Sequence, residues 1–230
     1  MTKARDTANL TGSGVTLPLL DIDAGTDIGA ALVDADLMIV DDGAGGTNRK
    51  ATMTRLATYM GTKIGGGMEF LASSGAISDA ASVSFTQFDA TKYDHYKFIF
   101  QYVIPATDSV GFFAHASTDG GSNYDTTNGN YHQSDTTDRT GFTIVAGSVG
   151  SAANEFGVSG EATLFAPHLT TYTYMKSAPV FMHSNSGSLI SGASVVSVKL
   201  AGADIDAIQF KFSSGNIESG EITMFGIVNS

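Results

Sequence analysis

From Tyr96 to the end of the chain the hydrophobic pattern repeats every second residue, and this period restricts the possible fold more than any other feature. Tyr96, Phe98, Phe100, Tyr102 and Ile104 alternate with Lys97, Ile99, Gln101 and Val103. Side chains two apart share one face of a β-strand, whereas a helix would scatter them. The alternation returns at Val110, Phe112, Ala114 and Ala116, at Phe142, Ile144 and Ala146, and at Ala162, Leu164 and Ala166. It continues through Val180 and Met182, Val196, Val198 and Leu200, and Ile208, Phe210 and Phe212, and closes with Ile222, Met224 and Gly226. Between Phe85 and Phe88 it slips by one, which predicts a β-bulge. Turn-forming clusters such as Asp119-Gly120-Gly121-Ser122-Asn123 separate the segments. Roughly eight to ten strands at such spacing, without intervening helices, predict an antiparallel β-sandwich of jelly-roll type. No fixed repeat is present, which disfavours solenoids and propellers.

A different pattern precedes this region. Leu37-Met38-Ile39-Val40 is a short apolar run bounded by aspartates. The turn formers Asp41 to Thr47 follow it, and Asn48 to Thr52 can return as a second strand, the pattern of a hairpin. Thr54 is placed to cap a short helix over Arg55 to Met60, with Leu56, Tyr59 and Met60 on one face. A helix so short needs a packing surface. Gly65-Gly66-Gly67 then reads as a linker. The expected organisation is therefore an N-terminal segment over residues 1–64, a glycine linker at 65–67 and a β-sandwich over 68–230. The whole is all-β apart from the one short helix.

Charge and composition remove several functional classes. The 230-residue chain has a formal net charge of −11, of which −2 falls on residues 1–64 and −9 on the remainder. Nucleic-acid binding needs clustered Lys and Arg, so no nucleic-acid partner is expected. An acidic chain is also repelled by anionic membranes, and no run approaches the ~18 apolar residues of a spanning helix. The polar stretch Met1 to Leu10 lacks the apolar core of a cleaved signal, so a soluble protein without membrane insertion is expected. Cysteine is absent, which rules out disulfides and thiolate metal sites.

No catalytic constellation emerges from the motifs. His95, His115, His132, His168 and His183 form neither an HxxxH nor an HExxH pair. No GxSxG elbow and no P-loop are present. Gly43-Ala44-Gly45-Gly46 leads into Asn48-Arg49-Lys50 and an alternating segment rather than a helix, and so reads as a turn, not a phosphate cradle. A non-enzymatic protein without cofactor or metal is the expectation. The Asp119-to-Asp125 loop carries oxygen-bearing side chains that a hard cation could use, but not at EF-hand spacing, and a solvated turn is the simpler reading. Within the long polar loop from Asp119 to Arg139, the residues Asp119, Asn123, Tyr124, Asp125 and Tyr131 are the first candidates for contact with a glycan or protein partner.

Three stretches resemble proteins of tailed-phage structural modules. The segment Asp36-Leu37-Met38-Ile39-Val40-Asp41-Asp42-Gly43-Ala44-Gly45-Gly46-Thr47-Asn48-Arg49-Lys50-Ala51-Thr52-Met53-Thr54-Arg55-Leu56 resembles a unit near the start of marine-phage tail-fibre-like proteins. Tyr93-Asp94-His95-Tyr96-Lys97-Phe98 through Ile104-Pro105-Ala106-Thr107-Asp108 to Ser117-Thr118-Asp119-Gly120-Gly121 resembles their C-terminal β-sandwich. So does the ending Ser219-Gly220-Glu221-Ile222-Thr223-Met224-Phe225-Gly226-Ile227, with its Phe-Gly pair. The resemblance implies a virion structural protein, in a tail fibre or tail-associated, assembled in the host cytoplasm. It also implies a homo-oligomer, a trimer by analogy, in contact with other virion proteins. Leu37, Ile39, Arg49, Lys50, Arg55, Leu56 and Tyr59 would then dock the N-terminal segment on the particle. A capsid decoration protein and a receptor- or carbohydrate-binding adhesin are the alternatives. The chain lacks a long fibrous shaft, a departure from full-length fibres.

Overall fold

The computed structural model describes residues 28–41, 48–63, 67–133, 136–184, 189–191, 194–200 and 202–228. The chain separates into two compact units, Met1–Lys63 and Ile64–Ser230. In the first, β1 (Leu37–Asp41) and β2 (Asn48–Thr52) pair antiparallel, with Leu37 opposite Thr52 and Ile39 opposite Lys50. The expected hairpin strands are therefore present, while the turn at 42–47 lies outside the described residues, as do linker residues 65 and 66. Helix α1 spans Met53–Lys63 and begins earlier than the sequence suggests. Arg55 N donates to Thr52 Oγ1 at 3.4 Å, so Thr52, not Thr54, is the cap. The Thr54 hydroxyl instead donates to the Asp34 carbonyl at 3.1 Å and ties the helix to the chain before β1.

The second unit is built from two antiparallel sheets. Its strands are β3 (Glu69–Ser73), β4 (Ile77–Ala80), β5 (Val83–Phe85), β6 (Tyr93–Pro105), β7 (Val110–Ser117), β8 (Tyr131–Gln133), β9 (Thr136–Arg139) and β10 (Phe142–Val149). They continue with β11 (Val158–Phe165), β12 (Thr173–Met182), β13 (Leu189–Ser191), β14 (Val195–Lys199), β15 (Ala207–Phe212) and β16 (Ile217–Val228). The small sheet runs β10-β7-β15-β5, and the large one begins β3-β16-β6-β11. In these two sets the chain's first and last strands are neighbours in the large sheet, and the second and penultimate are neighbours in the small one. That is the jelly-roll winding expected from the sequence. Beyond β11 the large sheet gains β12, β14, β8 and β9, with β13 on β12 and β4 on β16.

The core lies between the sheets. Tyr96, Phe98 and Phe100 from β6 and Ile222 and Met224 from β16 meet Phe112 from β7 and Phe210 and Phe212 from β15, all essentially inaccessible to water. Burying each such side chain contributes about 1.5–3 kcal/mol. At the chain's end Gly226 lies under the Tyr93 ring, where an added Cβ would sit 2.4 Å from Tyr93 Cδ1.

Four parts of the alternation differ from expectation, each for a local reason. The slip after Phe85 is not a bulge: β5 ends there, and Phe88 packs its ring on Tyr96 at 4.4 Å. In β6 the inward phase holds through Phe100 and then flips, so Val103 and Pro105 are buried while Tyr102 is 56% exposed. The cause is a bulge at Tyr102, whose φ is 47°, with register shifts against both β11 and β16. Gly157 (φ 60°) and Gly220 (φ 122°) admit this bulge, since a Cβ on either would lie 2.2 Å from Val103 O or 2.5 Å from Tyr102 O. In β10 a similar shift leaves Ala146 exposed and buries Val145 and Val149.

The fourth difference is a reversal of parity. On β12 and β14 the inward residues are Thr173, Met175, Ser177, Ser197 and Lys199, while Val180 and Val196 face out. These strands curl over the edge of β10. Thr143 N donates to Ser197 Oγ at 3.0 Å, and the hydroxyls of Ser177 and Ser197 reach Thr143 O at 3.5 and 3.3 Å. Further along, Ser184 N donates to Ser148 O at 3.0 Å and Val149 bridges His183. Inward hydroxyls are needed there because an uncovered edge strand leaves backbone polar groups that must find partners.

The bulge can be tested directly. Gly157→Ala should destabilise the protein by more than about 1 kcal/mol in urea denaturation. Gly147→Ala, where an added Cβ meets nothing within 4 Å, should change stability by less than ~0.5 kcal/mol.

Candidate functional site

The loop between β7 and β8 is held by a chain of local hydrogen bonds. The buried Ser117 hydroxyl donates to Asp119 Oδ1 at 2.8 Å and accepts from Asp119 N and Gly121 N. Asn123 donates its backbone N–H to Asp119 Oδ1 at 2.8 Å and its amide to Oδ2 at 2.7 Å. Gly120 N donates to Asp206 Oδ1 at 2.9 Å, which braces the loop against the segment before β15. Such side-chain-to-backbone bonds are what Asp, Ser and Asn supply in turns.

Asp125 anchors the other half. Its Oδ1 accepts from Thr127 N at 2.9 Å, and its Oδ2 accepts from the Asn130 amide at 2.9 Å and from the buried Lys199 ammonium. Burial pushes the Asp125 carboxyl up, but the hydrogen bonds from Lys199, Thr127 and Asn130 outweigh it and hold the group well below the usual carboxylate range. Lys199 Nζ also lies 4.7 Å from the centre of the Tyr131 ring, a cation–π contact that helps stabilise a buried charge. The Asp119 carboxyl is likewise lowered, by the Asn123 side chain, the Asn123 backbone and Ser117.

Asp119, Asn123, Tyr124 and Asp125 therefore share one open depression of about 390 Å³, together with Ser117, Thr127, Asn130 and Lys199. Tyr131 does not join them. It is wholly buried in β8, its ring 5.1 Å from Phe142, and its hydroxyl donates to Asp125 O at 3.0 Å and accepts from Ala116 N at 3.1 Å. The reading of Tyr131 as a contact residue is corrected: its ring belongs to the core and cannot be offered to a ligand. Polarity misled here, because the strand β8 is only three residues long and sits within a polar stretch. N–H and O–H donors already surround the carboxylates of Asp119 and Asp125, an arrangement suited to an ordered turn. Among the described residues no group of three or more His, Asp or Glu side chains is disposed to hold a metal ion.

The proposed docking residues divide by exposure. Leu37, Ile39 and Tyr59 are 59%, 57% and 59% exposed, and Arg49, Lys50 and Arg55 are also exposed. Leu56 is half-buried on the helix. Alternation puts Leu37 and Ile39 on one face of the hairpin, with Lys50 opposite Ile39. Outside both predicted regions, the structure exposes Tyr102, Phe156, Tyr172 and Tyr174. Tyr102 was hidden by its regular spacing, and Phe156 by the lack of any pattern around it.

His115 is a buried group with no contact to the depression. It is 5% exposed in β7, its Nδ1 finds no hydrogen-bond partner, and burial followed by the Lys211 charge lowers its pKa from 6.5 to about 4. Unfolding frees the imidazole to bind a proton near pH 6.5, so this contribution to stability is intact above that value and is lost as pH falls toward 4. Between about pH 7.5 and about pH 5 the protein should lose on the order of 2 kcal/mol for this reason, and His115→Gln should flatten that part of the pH–stability curve. In urea melts Tyr131→Ala should cost about 3–5 kcal/mol, and Tyr124→Ala less than about 1 kcal/mol.

No protein-family model matches this sequence, and no curated protein matches it.

Proposed function

We propose that this chain is a non-enzymatic structural protein of a tailed-phage particle, tail fibre or tail-associated, which attaches through its N-terminal unit and displays its jelly roll outward. The observation that carries the reading is the surface of the first unit. Ile28, Leu32, Val33, Leu37, Ile39 and Tyr59 are all more than half exposed. Among the described residues of this unit, the two-stranded hairpin and its one short helix do not bury so much apolar surface by themselves. Exposed apolar surface on this scale marks an interaction site, and lysine and arginine beside it suit a mixed, specific contact.

The jelly roll is compatible with such a role, since capsid and lectin domains share the architecture, although the fold alone assigns no function. The outward apolar residues of the curled strands, Tyr174 and Val196, add surface on which sister chains can associate. A cyclic homo-oligomer, a trimer by the resemblance, would cover such surfaces in every copy. It would also multiply weak outward contacts into useful avidity.

Two measurements test the proposal. Antibody against the chain should label the tails of purified particles whose genome encodes it. Absence from those particles would remove the reading, and label on the head would reassign the chain to capsid decoration. In solution the intact chain should have a mass near three times 23.8 kDa. The double variant Leu37→Asp/Ile39→Asp should fall toward a single-chain mass with an unchanged β-sheet spectrum.

A further inference from the structure

The bulge in β6 forms the wall of a groove. Tyr102, turned out of the core, meets Phe156 with ring centres 6.4 Å apart and planes at 66°. Both side chains are more than half exposed, and both residues have left-handed backbones, φ 47° and 51°. Aromatic residues rarely adopt that conformation, and where the fold enforces it the strain tends to mark a functional position. Three strands cooperate to hold Tyr102 outward, because β11 and β16 both shift register beside it. A hydrophobic side chain that merely filled space would have been placed inward by continuing the alternation.

The groove encloses about 300 Å³ and is lined by Tyr102, Glu155, Phe156, Ser159, Val180 and Phe181, among others. Glu155 and Ser159 bring the carboxylate and the aliphatic hydroxyl among its lining residues. Glu155 is 5% exposed, and its Oε2 accepts from Ala152 N at 2.8 Å, which leaves Oε1 as an acceptor. The Ser159 Oγ accepts from Tyr102 N at 3.1 Å, which leaves its hydroxyl hydrogen to donate. We infer that this groove binds one sugar ring of a neutral glycan. The C–H face of the ring would rest against the corner formed by Tyr102 and Phe156, and its hydroxyls would meet Glu155 and Ser159.

The chemistry favours a sugar over the other occupants. A purely apolar peptide or lipid group would seal a carboxylate against hydrocarbon with no donor for its free oxygen, which is costly. An anionic ligand would be repelled by Glu155. A neutral sugar supplies an apolar face and hydroxyl donors together, which matches an amphipathic aromatic site with a few polar groups. The volume lies at the lower limit of ligand sites, on the order of 300–1,000 Å³, and so suits a single ring. The inference does not rest on the particle assignment, because the groove lies within the jelly-roll unit.

The chain contains no tryptophan, so Phe156→Trp introduces a single reporter in the groove. The intact chain should bind members of an immobilised panel of neutral mono- and oligosaccharides. Titration of the Phe156→Trp variant with the best of them should shift its emission and saturate. Tyr102→Ala and Glu155→Gln should each weaken binding at least tenfold, with the mass in solution and the thermal midpoint of Tyr102→Ala close to the parent. Tyr124→Ala, in the separate β7–β8 depression, should leave binding unchanged. Binding to no neutral saccharide on the panel would overturn the inference. So would binding that survives both groove variants, or that is lost in Tyr124→Ala instead. A change in oligomeric mass with Tyr102→Ala, without any saccharide binding, would assign the groove to a chain–chain contact and equally overturn it.

Discussion

The Phe210 ring holds the two sheets of the jelly roll together. From β15 in the small sheet it meets Phe98 and Phe100 of the large sheet at 5.0 and 5.4 Å, and Phe85 and Phe112 of its own sheet at 6.2 and 6.1 Å. Most of these pairs are edge-to-face, the arrangement that the ring quadrupole favours, and each adds about 0.5–1.5 kcal/mol beyond the burial of its area. β15 and β7 are the inner strands of the small sheet, and β16 and β6 are the inner strands of the β3-β16-β6-β11 part of the large one. Strands that bring aromatic rings need neighbours on both sides to exclude water from them.

Everything away from that cluster is shaped by how its margins are closed. On one side the large sheet curls over β10, and its inner face becomes polar there. Ser177, Ser197 and Lys199 take positions that apolar residues hold elsewhere. The two serines serve the backbone of Thr143, and Lys199 pairs with the part-buried Asp125 carboxylate. The same reversal sends Val180 and Val196 outward. Polar side chains inside and apolar ones outside are thus two consequences of one event, the closure of the sandwich edge.

The surfaces available for recognition arise at these margins. The β7–β8 loop forms a hydrogen-bonded depression whose carboxylates are committed to its own turns and to Lys199. The aromatic corner at Tyr102 and Phe156 exists because β6 breaks its phase against two neighbours. In the separate N-terminal unit the hairpin and helix leave apolar side chains uncovered. These are the surfaces on which the proposed attachment and recognition roles rest.

The chain's own pattern determined that it forms antiparallel sheets with a two-faced core. Tyr96, Phe98, Phe100, Phe112 and Phe210 are placed inward by a period of two that no helix can satisfy. It also determined the hairpin at Leu37 to Thr52, through an apolar run, a dense turn and a returning strand. Tertiary structure alone decided the fate of Tyr102, Val180, Val196 and Tyr131. Alternation carries no signal for a bulge whose cause is the approach of Gly157 and Gly220 on other segments. Nor does it reveal that β12 and β14 face the edge of β10 rather than an apolar sheet. Tyr131 reads as a loop residue because its neighbours are polar, yet pairing with Val195–Lys199 turns a short segment into a strand and buries the ring. Local sequence fixes which face a side chain shares with its neighbours, whereas long-range pairing fixes which of the two faces is inside.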